Sequence, residues 1–131
     1  MADTIESVML DKIYTEVKTK YPSVVFGTPD ITTDSLYVWI SSNVSKDTYY
    51  YDNNFELFMV YIYVSSTDYV TTMEAAHEVR NLFHKKVFTL STGFTNLHTY
   101  CASKDIIYEQ EVESKIRTIR IIPVNARAVK N

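Results

Sequence analysis

The stretch that decides the fold is residues 55–64, which read Phe-Glu-Leu-Phe-Met-Val-Tyr-Ile-Tyr-Val. Nearly every position is apolar, and the aromatic and β-branched residues that favour strands dominate. A helix is the competing interpretation, but this composition favours a strand. Continuous apolar runs are typical of strands that are covered on both faces. The sequence therefore predicts a strand near the middle of a sheet, with both faces covered.

Shorter segments of the same character lie on either side of this strand. Residues 24–26 and 36–41 precede it, and the polar residues 43–54 predict a long loop between two antiparallel strands. Residues 90–96 predict a second loop, with Gly93 at its centre. Further strands are predicted at residues 97–102, 106–112 and 116–124, and residues 126–131 as a tail or a short edge segment.

The first predicted helix lies near the start of the chain. Asp3 followed by Glu6 indicates its beginning, and Pro22 its end, because the residue before a proline avoids helical geometry. Apolar residues recur between them at the helical spacing of three and four. They are Ile5, Val8, Met9, Ile13 and Val17.

The second predicted helix follows the central strand. Thr71 and Glu74 form the pattern of a capping box, which marks a helix start. Apolar residues follow at helical spacing and predict an end near residue 87 or 88. They are Met73, Ala76, Val79, Phe83 and Val87, with Ala75 and Leu82 widening the stripe.

This order of elements predicts an α+β fold. Two amphipathic helices, one N-terminal and one central, cover one face of a mainly antiparallel β-sheet. No internal repeat or low-complexity tract interrupts the chain, and residues 1–131 are expected to form a single domain.

Composition and charge favour a globular chain that does not bind nucleic acid tightly. The sequence is 46% hydrophobic and 22% charged, with a net charge of -3. A mildly acidic protein is a poor ligand for a phosphate backbone. A single cysteine, Cys101, excludes an internal disulfide. No secretory signal is recognised and no apolar run is long enough for a bilayer, so a soluble, unanchored protein is expected.

The charges are unevenly distributed along the chain. Residues 47–78 contain acids but no Lys or Arg, whereas residues 114–131 contain bases but no acid. This split could let the acidic side of one copy meet the basic side of the next in a ring. It could equally be satisfied within the chain, between neighbouring strands.

No pattern in the sequence indicates catalysis or a bound cofactor. Gly27 and Gly93 are too far apart for a phosphate-binding loop, and a G-x-S-x-G elbow is absent. His77 and His84 are separated by roughly 10 Å along a helix, too far for one metal ion. We expect no catalytic residue, no metal site, no cofactor and no enzymatic activity. Acid–base chemistry by a chance carboxylate pair stays open.

The most singular local feature is the triplet Tyr49, Tyr50 and Tyr51, flanked by Asp47 and Asp52. Successive side chains alternate in extended backbone, so at least one of these rings should be exposed. The tyrosines could fold back on the protein, contact a neighbouring subunit or tube, or stack on a sugar or base.

The order of the elements is similar to that of a known family. The first helix ends in Lys20-Tyr21-Pro22, a short strand follows, and the strand 55–64 runs into Ser-Ser-Thr-Asp at residues 65–68. Then come the helix at residues 73–87 and a terminal pair of strands ending in Ile-Arg-Ile-Ile-Pro-Val at residues 119–124. Over nearly the whole chain this order resembles the tail terminator (tail completion) proteins of long-tailed bacteriophages. The resemblance lies in the order and length of elements, and no diagnostic motif carries it.

The resemblance implies a structural role in a virion. A homo-oligomeric ring, a hexamer, would sit on the last ring of the tail tube, end tube growth and join the tail to the head. Its partners would be the tail tube protein and a head-completion or connector protein. DNA would pass through the lumen without specific binding, and no membrane is involved. The protein would be located at the head–tail junction of the virion, after assembly in the bacterial host cytoplasm.

Within that role we predict which residues contact a neighbouring subunit or the tube. They are Tyr49, Tyr50, Tyr51, Arg117 and Arg120. Three alternatives stay open at this point: another head–tail connector or a baseplate adaptor, a small α+β ligand-binding protein or enzyme, and a bacterial regulatory domain.

Overall fold

The computed structural model describes residues 4–41, 45–48, 55–101, 104–112 and 115–131. These residues form two α-helices and a seven-stranded sheet. In chain order the elements are α1 (Ile5–Lys20), β1 (Val25–Phe26), β2 (Tyr37–Ile40), β3 (Ser45–Thr48), β4 (Phe55–Ser66), α2 (Tyr69–Phe83), β5 (Phe94–Cys101), β6 (Ile106–Val112) and β7 (Lys115–Lys130).

Two long strands, β4 and β7, form the centre of the sheet. They pair antiparallel over their whole shared length, from Phe55 opposite Val129 to Ser66 opposite Thr118. The other edge of β4 pairs with β3 along its first half and with β2 along its second half. The other edge of β7 pairs with β6 along its first half and with β5 along its second half. Among the strands that the structure describes, only β1 runs parallel to its neighbour, β2. The predicted α+β fold with a mainly antiparallel sheet is confirmed.

Both helices pack on one face of this sheet, which we call the helix face. The main core cluster joins one stripe of each helix to alternate residues of the strands. The buried helix residues are Ile5, Met9, Ile13 and Val17 of α1 and Ala75, Ala76, Val79 and Phe83 of α2. These stripes lie at the helical spacing read from the sequence.

The opposite face, which we call the open face, is only partly covered. On β4 the residues Phe58, Val60, Ile62 and Val64 are buried, whereas the alternate residues, such as Tyr63, remain partly exposed. The prediction that both faces of this strand are covered is therefore wrong, although its central place is correct. The physical reason is that both helices pack on the same side.

Two segments predicted as irregular belong to the sheet. Part of the predicted loop 43–54 is β3, which pairs with the first half of β4. Residues 126–131, predicted as a tail or a short edge segment, contain the end of β7, where Ala126 and Ala128 are fully buried. Ala126 lies opposite Phe58, and alanine gives a weak strand signal.

The helix α2 begins earlier and ends earlier than predicted. Its N-cap is Asp68, whose carboxylate accepts a hydrogen bond from the Thr71 hydroxyl at 2.6 Å. The helix ends at Phe83, before Lys85, which takes a φ of 59°. Val87 therefore lies outside the helix and is exposed.

The start of α1 also differs from the prediction. Thr4 is the N-cap, and Thr4 and Ser7 form a reciprocal capping box, with the Ser7 amide 3.1 Å from the Thr4 hydroxyl. The predicted cap, Asp3, lies outside the described residues. The helix ends at Lys20, as the following Pro22 predicts.

Candidate functional site

Within the described ranges, no group of three or more His, Cys, Asp or Glu side chains could hold a metal ion. His84 and His98 instead pack against the ring of Tyr100, with centroid distances of 5.9 and 4.8 Å. His84 Nδ1 also accepts a hydrogen bond from the amide of Cys101 at 3.2 Å. Among the same residues, neither helix is both long enough and apolar enough to span a membrane.

Cys101 lies in the core beneath α2. Burial raises the pKa of its thiol to about 11, and its Sγ lies 3.8 Å from the carbonyl oxygen of Arg80. A nucleophilic cysteine needs a lowered pKa and access to solvent. The environment of Cys101 is that of a packing residue.

The five residues predicted at a contact surface do not come together in one described site. Tyr49, Tyr50 and Tyr51 lie outside the described residues, between β3 and β4 in the chain. Arg117 and Arg120 both lie on β7, but their side chains point to opposite faces of the sheet.

Arg117 is a buried clamp on the open face, with 2% of its surface exposed. Its Nη1 donates to the carbonyl of Thr33 at 2.7 Å and its Nη2 to the carbonyl of Ser35 at 2.8 Å. Its Nε and Nη2 also donate to the hydroxyl and carbonyl of Ser65, both at 3.2 Å. The guanidinium thus ties the loop before β2 to the central sheet. This internal role differs from the subunit contact predicted for Arg117.

The same loop contacts the ring of Tyr37. The guanidinium carbon of Arg117 lies 5.3 Å from the ring centroid, a cation–π distance. Hydrogen bonds from the Thr33 side chain and then the Thr32 backbone lower the pKa of the Tyr37 phenol to about 8. Tyr37 is therefore an acceptor that supports the loop on the sheet.

Arg120 lies on the helix face in a second network. Its Nη1 is 3.5 Å from one oxygen of Asp105, and the Nη1 of Arg80 is 2.9 Å from the other. The Nη2 of Arg120 donates to the Tyr69 hydroxyl at 3.2 Å. The carboxylate of Asp105 therefore joins α2 to β7, and Arg120 is paired within the chain.

These contacts show where the basic end of the chain finds partners. Lys115 pairs with Asp34, and Arg120 with Asp105. Neither acid belongs to the acidic segment 47–78 of the sequence. In the described residues, two of the five bases of the basic segment 114–131 are thus paired with acids that the charge pattern did not single out.

The open face carries an aromatic groove beside the clamp. Its volume is about 380 Å³. Trp39 and Tyr63 stack with a centroid distance of 5.1 Å, but only 4% of Trp39 is exposed. The lining also includes Gly27, Thr28, Ile31, Ser41, Tyr108, Gln110 and Ile119. The Trp39 ring is packed against Tyr63 and buried, so it offers little free surface for stacking by a ligand.

The strand β6 forms an apolar edge of the sheet. Ile106, Ile107 and Tyr108 are consecutive and 43–51% exposed, and Ile116 of the adjoining β7 is 62% exposed. No strand in the described part of the chain pairs with the outer side of β6. An exposed apolar edge of this length is a site for pairing with another chain.

The strand β1 forms the edge at the other end. Val25 and Phe26 are 41% and 48% exposed. Phe26 stacks on Tyr14 of α1 with a centroid distance of 4.9 Å, and Lys18 lies over the same tyrosine. The edge of β1 and the last turn of α1 therefore form one continuous surface.

Sequence reasoning did not single out either edge. The run Ile106-Ile107-Tyr108 places apolar residues on both faces of a strand, but the same pattern is typical of a covered strand and does not mark an edge. Nothing in the sequence marks Val25 and Phe26 as an exposed edge.

Comparison with known proteins finds the fold but no family. No protein-family model and no curated protein match this sequence. Among solved structures, the chain is similar to a chain described as "Virion of native gene transfer agent (GTA) particle". The match covers 99% of this chain and 100% of the other, with a TM-score of 0.68 and 16% identity. The two chains share the α+β fold from end to end.

Proposed function

We propose that this chain is a structural protein of a phage or phage-like virion, and within that class the tail terminator. The observation that carries the proposal is the end-to-end fold match to a chain of a virion. The resemblance of element order to tail terminators supports the finer assignment.

In this role the protein forms a hexameric ring on the last ring of the tail tube, ends tube growth and joins the tail to the head. Its partners are other copies of itself, the tail tube protein and a head-completion or connector protein. It is located at the head–tail junction, and assembly takes place in the bacterial cytoplasm.

DNA passes through the lumen of such a ring without specific binding. The net charge of -3 supports this, because phosphate binding needs clustered free cations. The contacts of Arg117 and Arg120 support it further, since both guanidinium groups are engaged inside the chain. The role needs no catalysis, cofactor or metal ion.

The triplet Tyr49, Tyr50 and Tyr51 keeps the proposed contact with a neighbouring subunit or the tube. Arg117 and Arg120 act indirectly, by holding the strand and the loop that shape the surface. Unchanged assembly and infectivity of the Tyr50→Ala, Tyr51→Ala double variant would exclude the contact.

The test of the function is the mass of the purified protein by light scattering, alone and mixed with tail tubes. A closed six-subunit ring, or binding confined to tube ends, supports the terminator assignment. Binding to the head vertex or to the baseplate instead would identify another connector or an adaptor. A monomer that ignores tubes and co-purifies with a small molecule would identify a ligand-binding protein.

A further inference from the structure

The two exposed edges described above lie at opposite ends of one strand row. We propose that copies of this chain join head to tail through these edges. The β6 edge of one copy lies against β1 and the end of α1 in the next copy, so that the sheet continues from subunit to subunit. This inference rests on the proposed ring and specifies the surfaces that close it.

The strand register places the two edges level with each other. A single row runs from Val25 through Trp39, Tyr63 and Ile121 to Ile106. Four strand spacings separate its ends, or roughly 19 Å. Because the two edges point away from each other, they can meet only between different copies, in a heterologous contact.

The apolar residues of the two edges correspond face by face. Val25 and Ile106 both pair with residues of the open face, namely Trp39 and Ile121. Phe26 packs on α1, and Ile107 pairs with Arg120, which places both on the helix face. If β1 is set beside β6, apolar side chains meet on both faces of the continued sheet.

The charges of the two edges are opposite and lie on the same face. Glu109 and Glu111 follow Ile107 on the helix face of β6, and both are exposed. Lys18 and Lys20 lie in the last turn of α1, on the same side of the sheet, and both are exposed. The strand β6 carries no Lys or Arg. A contact between the two edges would therefore bring two acids against two bases.

This complementarity favours a second copy over an unrelated partner. An unrelated protein would need only one of the two edges, and the charge of the other would be unconstrained. Here both edges are apolar, level and of opposite charge on a single chain. Heterologous contacts of this kind close into rings when the rotation per subunit allows it.

The test reverses the charge of each edge separately. The first variant carries Glu109→Lys and Glu111→Lys, and the second carries Lys18→Glu and Lys20→Glu. A control variant, Asp11→Lys with Glu74→Lys, changes the net charge as the first variant does but at exposed positions on the helices. The oligomer mass of each variant is measured by light scattering over a concentration series at low salt, first for the protein alone and then for the protein mixed with tail tubes. Trp39 fluorescence verifies that each variant is folded.

We expect each edge variant alone to need about tenfold or more higher concentration to assemble, because like charges then meet at the contact. The control should assemble as the original protein does. Mixing the two edge variants should restore assembly into rings of alternating subunits, since every contact again joins opposite charges. This rescue is specific to a heterologous contact between these two edges.

The inference and the proposed function fail differently. If rings form on tubes but neither edge variant weakens them, the inference is wrong and the terminator assignment stands. If edge-dependent rings form but never bind tubes, the inference stands and the terminator assignment is wrong. Loss of assembly in both variants without rescue on mixing would also overturn the inference, as would a protein that stays monomeric in both settings.

Discussion

Replacing Arg117 by Met tests whether one buried guanidinium holds the loop before β2 on the sheet. Met keeps much of the apolar volume of the side chain but removes every donor. Four hydrogen bonds are lost: one each to the carbonyls of Thr33 and Ser35, and two to Ser65.

The magnitude depends on what each partner finds afterwards. Thr33 and Ser35 are exposed, so water replaces the arginine at their carbonyls. Ser65 is fully buried, and a buried polar group without a partner costs about 1–3 kcal/mol. Removing a buried cation also relieves its desolvation, which offsets part of the loss. We expect the free energy of unfolding to fall by about 3 kcal/mol, near the upper end of the cost of leaving a buried neutral partner unsatisfied.

Urea denaturation measures this loss directly. Trp39 is the single tryptophan and is buried next to this region, so its fluorescence reports unfolding. With a slope of about 2 kcal/mol per molar urea, the midpoint should fall by roughly 1.5 M.

Lys115→Met is the matched control on the same strand. Lys115 also bonds the loop, through Asp34 at 2.6 Å, but the two side chains are 60% and 57% exposed. An exposed pair contributes about 0.5 kcal/mol or less. If Arg117→Met and Lys115→Met have the same midpoint and slope, the clamp does not stabilise the fold and the reasoning from burial is refuted.

Three further predictions follow from caps and titrating groups. Thr4→Ala should lower the free energy of unfolding by about 1 kcal/mol, because the cap of α1 is lost. The mid-helix control Thr15→Ala should not lower it, and urea denaturation measures both values. Tyr37 should ionise with a pKa of about 8, below the usual 10, mainly because of the Thr33 hydrogen bond. Because this pKa is lower in the folded state, the free energy of unfolding should rise between about pH 8 and 10 relative to that of Tyr37→Phe, and the difference should be absent below pH 8. Absorbance titration tests the pKa, and urea denaturation across this pH range tests the change in stability. The Cys101 thiol has a pKa of about 11, so it should react slowly with a disulfide reagent at about pH 8. We expect the reaction to be about a hundredfold slower in the native protein than in urea-unfolded protein, and equal rates would contradict the burial of the thiol.

Much of the fold could be predicted because periodicity reports burial. Most of the buried stripe of each helix follows from apolar spacing, although Met73 and Val87 of the predicted second stripe are exposed. The central place of β4 follows from its continuous apolar run. The same reasoning failed at the end of β7, where Ala126 and Ala128 are buried without being large or β-branched. It also failed for the second face of β4, since a run of apolar residues does not show which side the helices cover.

The roles of individual charged residues could not be predicted from the sequence. Arg117 bonds chiefly to backbone carbonyls, and every residue type carries a backbone carbonyl. Asp105 joins Arg80 to Arg120 only because α2 packs across β7. Such partners are set by the tertiary arrangement, and no spacing in the chain encodes them.

The position of β7 also determines when the chain can fold. In the central pair, Ser66 meets Thr118, 52 residues later, and Phe55 meets Val129, 74 residues later. Contacts so distant in sequence form slowly, and here they must wait until β7 has been synthesised. Until β7 pairs with both β4 and β6, the β1 edge and the β6 edge do not belong to one sheet. Any assembly that uses both edges therefore admits only chains whose synthesis has passed β7, so the topology excludes unfinished subunits.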